Sequence, residues 1–208
     1  MFSRSATALR IATLSVLTIL AGCAASPQFV TLRPNVDLAA ERIGNGNAVE
    51  VAVQDNRAGT VIGYRGGVYE NSGQISAGND VPQAIEQAVR ARLAAQGFAV
   101  NVPPGSNATR LTIYVDAITY TNRTELMKND VTVEAKVSAE VNAGTETYTG
   151  RYQTKENKVF ITAPDTLDNE ALINLAVSGS INRIFDDPKI RMMLQSSYGG
   201  SSAGYPRY

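Results

Sequence analysis

The 208-residue chain contains no histidine and a single cysteine, and each scarcity removes a class of chemistry. Without histidine, Ser-His-Asp and Cys-His nucleophilic systems are excluded, and a zinc site would need carboxylates alone, which zinc sites seldom use. One cysteine closes no disulfide within the chain, so stability has to come from packing even in an oxidising compartment. Glycine-rich phosphate loops are missing too: Gly63-Tyr64-Arg65-Gly66-Gly67 has neither the spacing nor the Lys-Ser/Thr ending that such loops use. Basic and acidic residues balance at 19 each with no block of like charge, which argues against nucleic acid or an anionic membrane surface as the primary partner. Carboxylate pairs remain as a catalytic option, with Asp55, Asp116 and Asp130 as candidates for a glycosidase-type hydrolase. Because every soluble domain carries acidic residues, that reading ranks last.

What is present begins with an export signal. Arg4 and Arg10 supply a positive segment, Ile11 to Leu20 an apolar run too short to span a bilayer, and Leu20-Ala21-Gly22-Cys23 ends on the only cysteine. This arrangement resembles a lipobox, which implies cleavage between Gly22 and Cys23 and a covalent diacylglycerol on the Cys23 thiol, with a further acyl chain on the new amino terminus. Each buried methylene contributes roughly 0.8 kcal/mol, so two or more chains anchor stably where one binds only marginally. Residues 1–22 are therefore expected to be a signal peptide. The 186 residues that follow carry 17 basic and 19 acidic side chains once Arg4 and Arg10 are removed, a length that suits one domain.

Residues 23–47, with Pro27, Pro34 and Gly44-Asn45-Gly46-Asn47, read as the lipidated terminus and a tether. Val49, Val51 and Val53 alternate with polar or small residues as a strand ending at Asp55-Asn56-Arg57, and the glycine-rich stretch 58–79 reads as a long loop. Asp80 stands as an N-cap before a helix whose apolar face carries Val81, Ile85, Val89 and Leu93, with Gly97 at its end. Phe98, Val100 and Val102 open an extended segment; Leu111 to Ala117 alternate; Val131 to Val141 alternate strictly with polar residues. Asn142-Ala143-Gly144-Thr145 reads as a hairpin connection to a strand with Tyr148 and Tyr152, interrupted at Lys155-Glu156-Asn157-Lys158. A Thr166 or Asp168 cap then starts a helix with Ile173, Val177, Ile181 and Ile184, closed by Pro188; Ile190 to Leu194 form a short apolar turn, and 196–208 a disordered tail. The expected fold is α+β over 48–195: a two-layer sandwich of a mainly antiparallel four-stranded sheet with two amphipathic helices on one face, in the order β-α-β-β-β-α.

The lipobox, Asp55-Asn56-Arg57 at a strand end, the run Ala91 to Val100, the strand meander and Ile184-Phe185-Asp186-Asp187-Pro188-Lys189-Ile190 together resemble the YajG-like family of bacterial envelope lipoproteins. The resemblance covers roughly Leu32 to Leu194. It implies a Gram-negative envelope lipoprotein with no established biochemical activity, and it brings no catalytic residues to carry over. More distantly the topology is similar to small lipoprotein partners of envelope transport machines. Resemblance to sorted lipoproteins further implies the outer membrane, facing the periplasm, because Ala24 rather than an aspartate follows Cys23.

The functional expectation is a non-catalytic accessory or assembly module that binds another envelope protein, with no cofactor beyond the lipid on Cys23. Tyr114, Ile118 and Tyr120 are the candidate interaction surface, since exposed aromatics are enriched at interfaces. Asp55 and Arg57, two apart on a strand and so on one face, are a candidate structural pair fixing the long loop. The alternative is a binder of lipid or cell-wall glycan using a helix–sheet groove or a Tyr64/Tyr69 platform.

Overall fold

The computed structural model describes residues 26–37, 41–66, 72–103, 106–125 and 128–196. Gly22, Cys23, Tyr69 and the tail from 197 onward lie outside the described residues. Within them run β1 (Gln28–Val30), β2 (Val49–Asp55), β3 (Val61–Tyr64), β4 (Gln74–Ala77), α1 (Val81–Ala95), β5 (Thr109–Glu125), β6 (Lys128–Ala143), β7 (Glu146–Phe160), α2 (Thr166–Asp186) and α3 (Pro188–Gln195).

The α+β class holds, but the sheet is mixed and seven-stranded, and the helices number three among the described residues. β5, β6 and β7 form the antiparallel meander. β5 is longer than any single partner on its other edge, so that edge is shared. β2 runs parallel along the first half, from Val49 opposite Thr109 to Asp55 opposite Val115, and β3 joins the second half at Gly63 opposite Tyr120. A Cβ at Gly63 would collide with the Tyr120 carbonyl oxygen, which is why a glycine sits at that crossing. β4 then pairs antiparallel with β3, and β1 parallel with β4. The expected long loop thus contributes two strands. Their apolar content, Ile62 and Ile75 buried among glycines and polar residues, was too sparse to show a period.

One face of the sheet carries Val49, Val51, Leu111, Ile113, Val115 and the odd residues from Val131 to Val141, all buried. α1 and α2 seal that face into a single core through Val81, Ile85, Val89 and Leu93 on one helix and Leu172, Ile173, Ala176, Val177, Ile181, Ile184 and Phe185 on the other. α1 is capped as its sequence predicts: the Asp80 carboxylate accepts from the Gln83 N–H at 2.9 Å, and Gly97 turns the chain at φ 87°. α2 is capped by Asp165, not Thr166 or Asp168, with its carboxylate accepting from the Asp168 N–H at 2.8 Å. Ser180 locks α2 to the sheet by donating to the Ala135 carbonyl at 2.9 Å, and Gly179 rests against Thr154 of β7, where a Cβ would sit 2.8 Å from its methyl. α2 ends just before Pro188 as expected, with Asp187 as its C-cap, but the short apolar turn that follows is a helix: Pro188 opens α3, whose N-cap is the same Asp187. β7 runs unbroken through Lys155-Glu156-Asn157-Lys158, because its outer positions face solvent on a sheet edge and impose no apolar period.

The expected tether is the largest correction. From Gln28 to Val36 the even positions are buried and the odd ones open or half-open, with Val30 and Leu32 fully buried. Beyond β1 this strap has no neighbouring strand, so its backbone groups find side chains instead. The N–H groups of Thr31, Arg33, Asn35 and Asp37 donate in turn to Glu170 (2.7 Å), Asn174 (2.6 Å), Ser178 (2.8 Å) and Asn182 (3.1 Å) of α2. Two extended residues advance about 6.6 Å and four helical residues about 6 Å, so the two periods match over three steps. On the opposite edge the Asn79 amide accepts from Leu32 N–H at 2.8 Å and donates to its carbonyl at 2.9 Å, standing in for a peptide group of a missing strand.

Candidate functional site

The helices cover one face of the sheet and leave the other bare. Across β2, β5, β6 and β7 the open face reads in rows set by the strand register: Glu50-Arg110-Asn142-Thr147, Gln54-Tyr114-Ser138-Arg151, Thr119-Glu134-Lys155, Thr121-Thr132-Asn157 and Arg123-Asp130-Val159. The alternation that buries valines on β6 necessarily puts Thr132, Glu134, Lys136 and Ser138 on this side. Charges of both signs are interleaved and several are partnered: Arg110 meets Glu50 at 3.1 Å, Lys136 meets Glu134 at 3.5 Å, and Asn157 donates to both Asp130 and Thr132. A shallow polar depression of about 270 Å³ opens over Thr119, Thr121, Arg123, Asp130, Thr132, Glu134 and Lys155. Exposed ion pairs of this kind stabilise little by themselves, ~0–1 kcal/mol each. Their arrangement instead suits complementary docking of a polar partner surface.

Of the three residues expected on an interaction surface, only Tyr114 lies on this face, half-buried beside Ser138. Ile118 and Tyr120 are buried. The reason is a bulge at Asp116: register passes from Val115 opposite Val137 to Ala117 opposite Lys136, so inward parity changes from odd to even along β5. Burial raises the Tyr120 hydroxyl well above the usual phenol range, as befits a core side chain rather than a contact.

Asp55 and Arg57 do form the expected pair. The guanidinium grips the carboxylate bidentately, Nε to Oδ1 at 2.8 Å and Nη2 to Oδ2 at 2.7 Å, and the Arg57 N–H adds a third bond to Oδ1 at 3.1 Å. Those side-chain bonds, outweighing partial burial, hold the Asp55 carboxyl below the ordinary range. The other two candidate carboxylates are each taken by a different partner, Asp116 by Ser138 and Asp130 by Asn157, at separate positions along the β5–β6 hairpin. Among the described residues no group of three or more acidic or cysteine side chains could hold a metal ion.

Two polar nodes were not anticipated. Asp187 accepts from Tyr152 (2.6 Å), Tyr148 (3.0 Å) and the Lys189 N–H (2.8 Å), tying β7 to the α2–α3 junction. Burial opposes its ionisation, but the bonds from Tyr152, Lys189 N–H and Tyr148 outweigh it and hold the carboxyl below the ordinary range. Arg92 is buried on the apolar face of α1: it donates to the Asp37 carbonyl at 2.7 Å and lies 4.7 Å from the Phe185 ring centroid, joining strap, α1 and α2. The signal for Arg92 was present as a charged residue inside the apolar stripe of α1; Asp187, at a helix junction, stands in no stripe and gave none.

Residues 34–195 match the profile of a family described as uncharacterized lipoprotein, the YajG-like family, and the chain belongs to it. Membership implies a membrane-anchored envelope protein, and among the described residues no helix is long and apolar enough to cross a membrane. None of the curated proteins matches the sequence. Among solved structures, the chain is similar to a protein described as a neuraminyllactose-binding hemagglutinin homolog from Helicobacter pylori, at 10% identity and TM-score 0.46, covering 80% of this chain and 97% of that one. It is similar to protein XCC0632 from Xanthomonas campestris at 15% identity and TM-score 0.44, covering 77% and 92%. Lipoprotein GNA1162 from Neisseria meningitidis gives 15% identity and TM-score 0.26 over 68% and 99%. Likenesses below a TM-score of 0.5 carry no functional inference.

Proposed function

We propose that this member of the YajG-like lipoproteins is a non-catalytic binding module, held by lipid on Cys23 in the outer membrane and facing the periplasm, that docks another envelope protein on the open face of its sheet. The observation that carries the reading is that face: four strands wide, polar, shaped by the alternation of β6, and uncovered by any described element. A solvated sheet face is common, but this one is continuous over β2, β5, β6 and β7 and mixes threonines with both signs of charge, which sets specificity and register of an encounter. Confinement at the membrane raises the effective concentration of a membrane-bound partner, so a modest interface suffices. The test is co-purification from detergent-solubilised envelopes with Thr121→Arg and Thr132→Arg together. The expected result is loss of co-purifying partner at unchanged melting temperature, while Leu175→Arg, on the exposed side of α2, keeps it. Retention of the same partners by the Thr121/Thr132 variant contradicts the proposal.

A further inference from the structure

We propose that the end of the domain from which the lipidated terminus emerges is itself a membrane-docking surface, seating Phe29, Ile161 and Leu167 in the headgroup boundary of the bilayer that holds the lipid on Cys23. The inference rests on the lipid-anchor reading above and adds to it the orientation of the domain.

The first ground is reach. Ser26 follows Cys23 by three residues, and at about 3.3–3.6 Å per extended residue it cannot lie farther than about 11 Å from the anchored Cα. Only two residues later the chain is fixed: the buried side-chain amides of Gln28 and Asn169 hydrogen-bond at 2.7 Å, and Gln28 pairs with Ile75 in the sheet. Because the strap from Gln28 onward is packed, the domain has no two-dozen-residue tether on which to stand away from the lipid.

The second ground is what surrounds that exit. The strap ladder places Thr31 beside Glu170 and runs parallel with α2, so the chain before Thr31 leads back to the first turn of that helix. That end of the domain is apolar and bare: Leu167 in the turn is 74% exposed, Ile161 in the connection leading into it 81%, and Phe29, turned outward between the buried Gln28 and Val30, 67%. These three lead the exposed large hydrophobic side chains of the described residues. The neighbouring charges nearly cancel, with Lys158 meeting Asp168 at 3.8 Å, Asp165 spent on the helix cap, and Arg65 donating to the Pro164 carbonyl at 3.1 Å. Contact of this kind is apolar and does not require anionic lipid.

The sequence has no tryptophan, so an introduced indole is the only one and is read selectively by exciting at the red edge, beyond the absorption of the tyrosines. Acylated full-length protein carrying Phe29→Trp, Ile161→Trp or Leu167→Trp, and Met192→Trp on α3 as the distant control, is reconstituted in phosphatidylethanolamine–phosphatidylglycerol vesicles with brominated lipids. The three probes are expected to shift to the blue and to be quenched by bromine placed about 5–10 Å below the headgroups, at any phosphatidylglycerol fraction, whereas Met192→Trp stays wet and bright. Should Phe29→Trp disturb its short strand, the Ile161 and Leu167 probes carry the result. Mass analysis of the N-terminal peptide separates the two readings: acylated Cys23 with wet probes overturns docking alone, and unmodified Cys23 overturns anchor and docking together. Probes that are blue-shifted but unquenched, and revert on dilution of protein in the bilayer, mean that a second copy covers the patch and overturn the lipid assignment.

Discussion

Asn79→Ala removes one side chain that replaces an entire strand edge, and its cost follows from what Leu32 loses. Both bonds go, from the Leu32 N–H at 2.8 Å and to its carbonyl at 2.9 Å, and the residue is fully buried. Water does not reach these groups without opening the strap, so each costs about 1–2 kcal/mol rather than the smaller net value of an exposed bond. The total of about 2–4 kcal/mol is less than the apolar anchoring, since burying Val30, Leu32 and Val36 contributes about 1.5–3 kcal/mol apiece. The strap should therefore loosen without leaving. Hydrogen exchange read by mass spectrometry should show the Leu32 amide exchanging about 30- to 1000-fold faster, since every 1.4 kcal/mol is tenfold. The Gln83 amide, held by the Asp80 cap, is the internal control and keeps its protection. Asn174→Ala strips the Arg33 N–H and the Thr31 carbonyl, but Arg33 is solvent-exposed and water substitutes, so its effect is the smaller of the two. Unchanged Leu32 exchange in Asn79→Ala would refute the claim that an asparagine amide does the work of a strand here.

Gly179→Ala should cost about 1–3 kcal/mol by forcing α2 away from Thr154, and Thr154→Ala in the same chain should restore most of it in a thermal double-mutant cycle. Tyr152→Phe should destabilise by about 1.5–3 kcal/mol, the range for a bond to a charged group, because the Asp187 carboxylate loses its shortest side-chain partner. Since the folded pKa of Asp187 is depressed, its stabilisation is present above the ordinary carboxyl range and fades as pH falls through the folded value. Asp187→Asn should accordingly be weaker than the parent at pH 7 and approach it in acid, which urea melts at the two pH values will read. In Arg57→Ala the Asp55 carboxyl, followed by NMR, should titrate back toward the ordinary range, and Arg57→Lys should do nearly the same because an ammonium cannot reproduce the bidentate grip.

Where the chain repeats a pattern long enough to average over exceptions, the sequence reading and the structure agree: β2, α1 with both caps, β6, the turn at Gly144-Thr145 and the apolar stripe of α2. Disagreement gathers where one residue overrides the period. A single extra residue at Asp116 turns the second half of β5 over, moving Ile118 and Tyr120 from surface to core, although Val115, Ala117, Ile118 and Tyr120 already break the alternation in the sequence. Val30, Leu32, Pro34 and Val36 keep an alternation that glycine and proline nearby obscured, and no local rule reveals that their backbone partners are side chains on a helix about 140 residues away, as |i−j| of 139 to 145 requires. The Asp55–Arg57 pair was legible as two opposite charges two apart at the end of β2, although Arg57 lies past the strand and turns back, its own N–H also meeting the carboxylate. The open face was legible only as solvated polar positions; the register assembled them into rows.

Photo-crosslinking in intact cells reaches the central claim most directly, because it reads the open face with anchor, membrane and partner in place. A benzophenone side chain at Thr121, Thr132 or Lys155, each on that face, should give a discrete adduct with one envelope protein, and the same group at Leu175 or Met192 should not. The Thr121 adduct should fall sharply in Cys23→Ser, which removes the anchor. Adducts absent from all three sheet positions, or equally strong from the helix controls, would contradict the account.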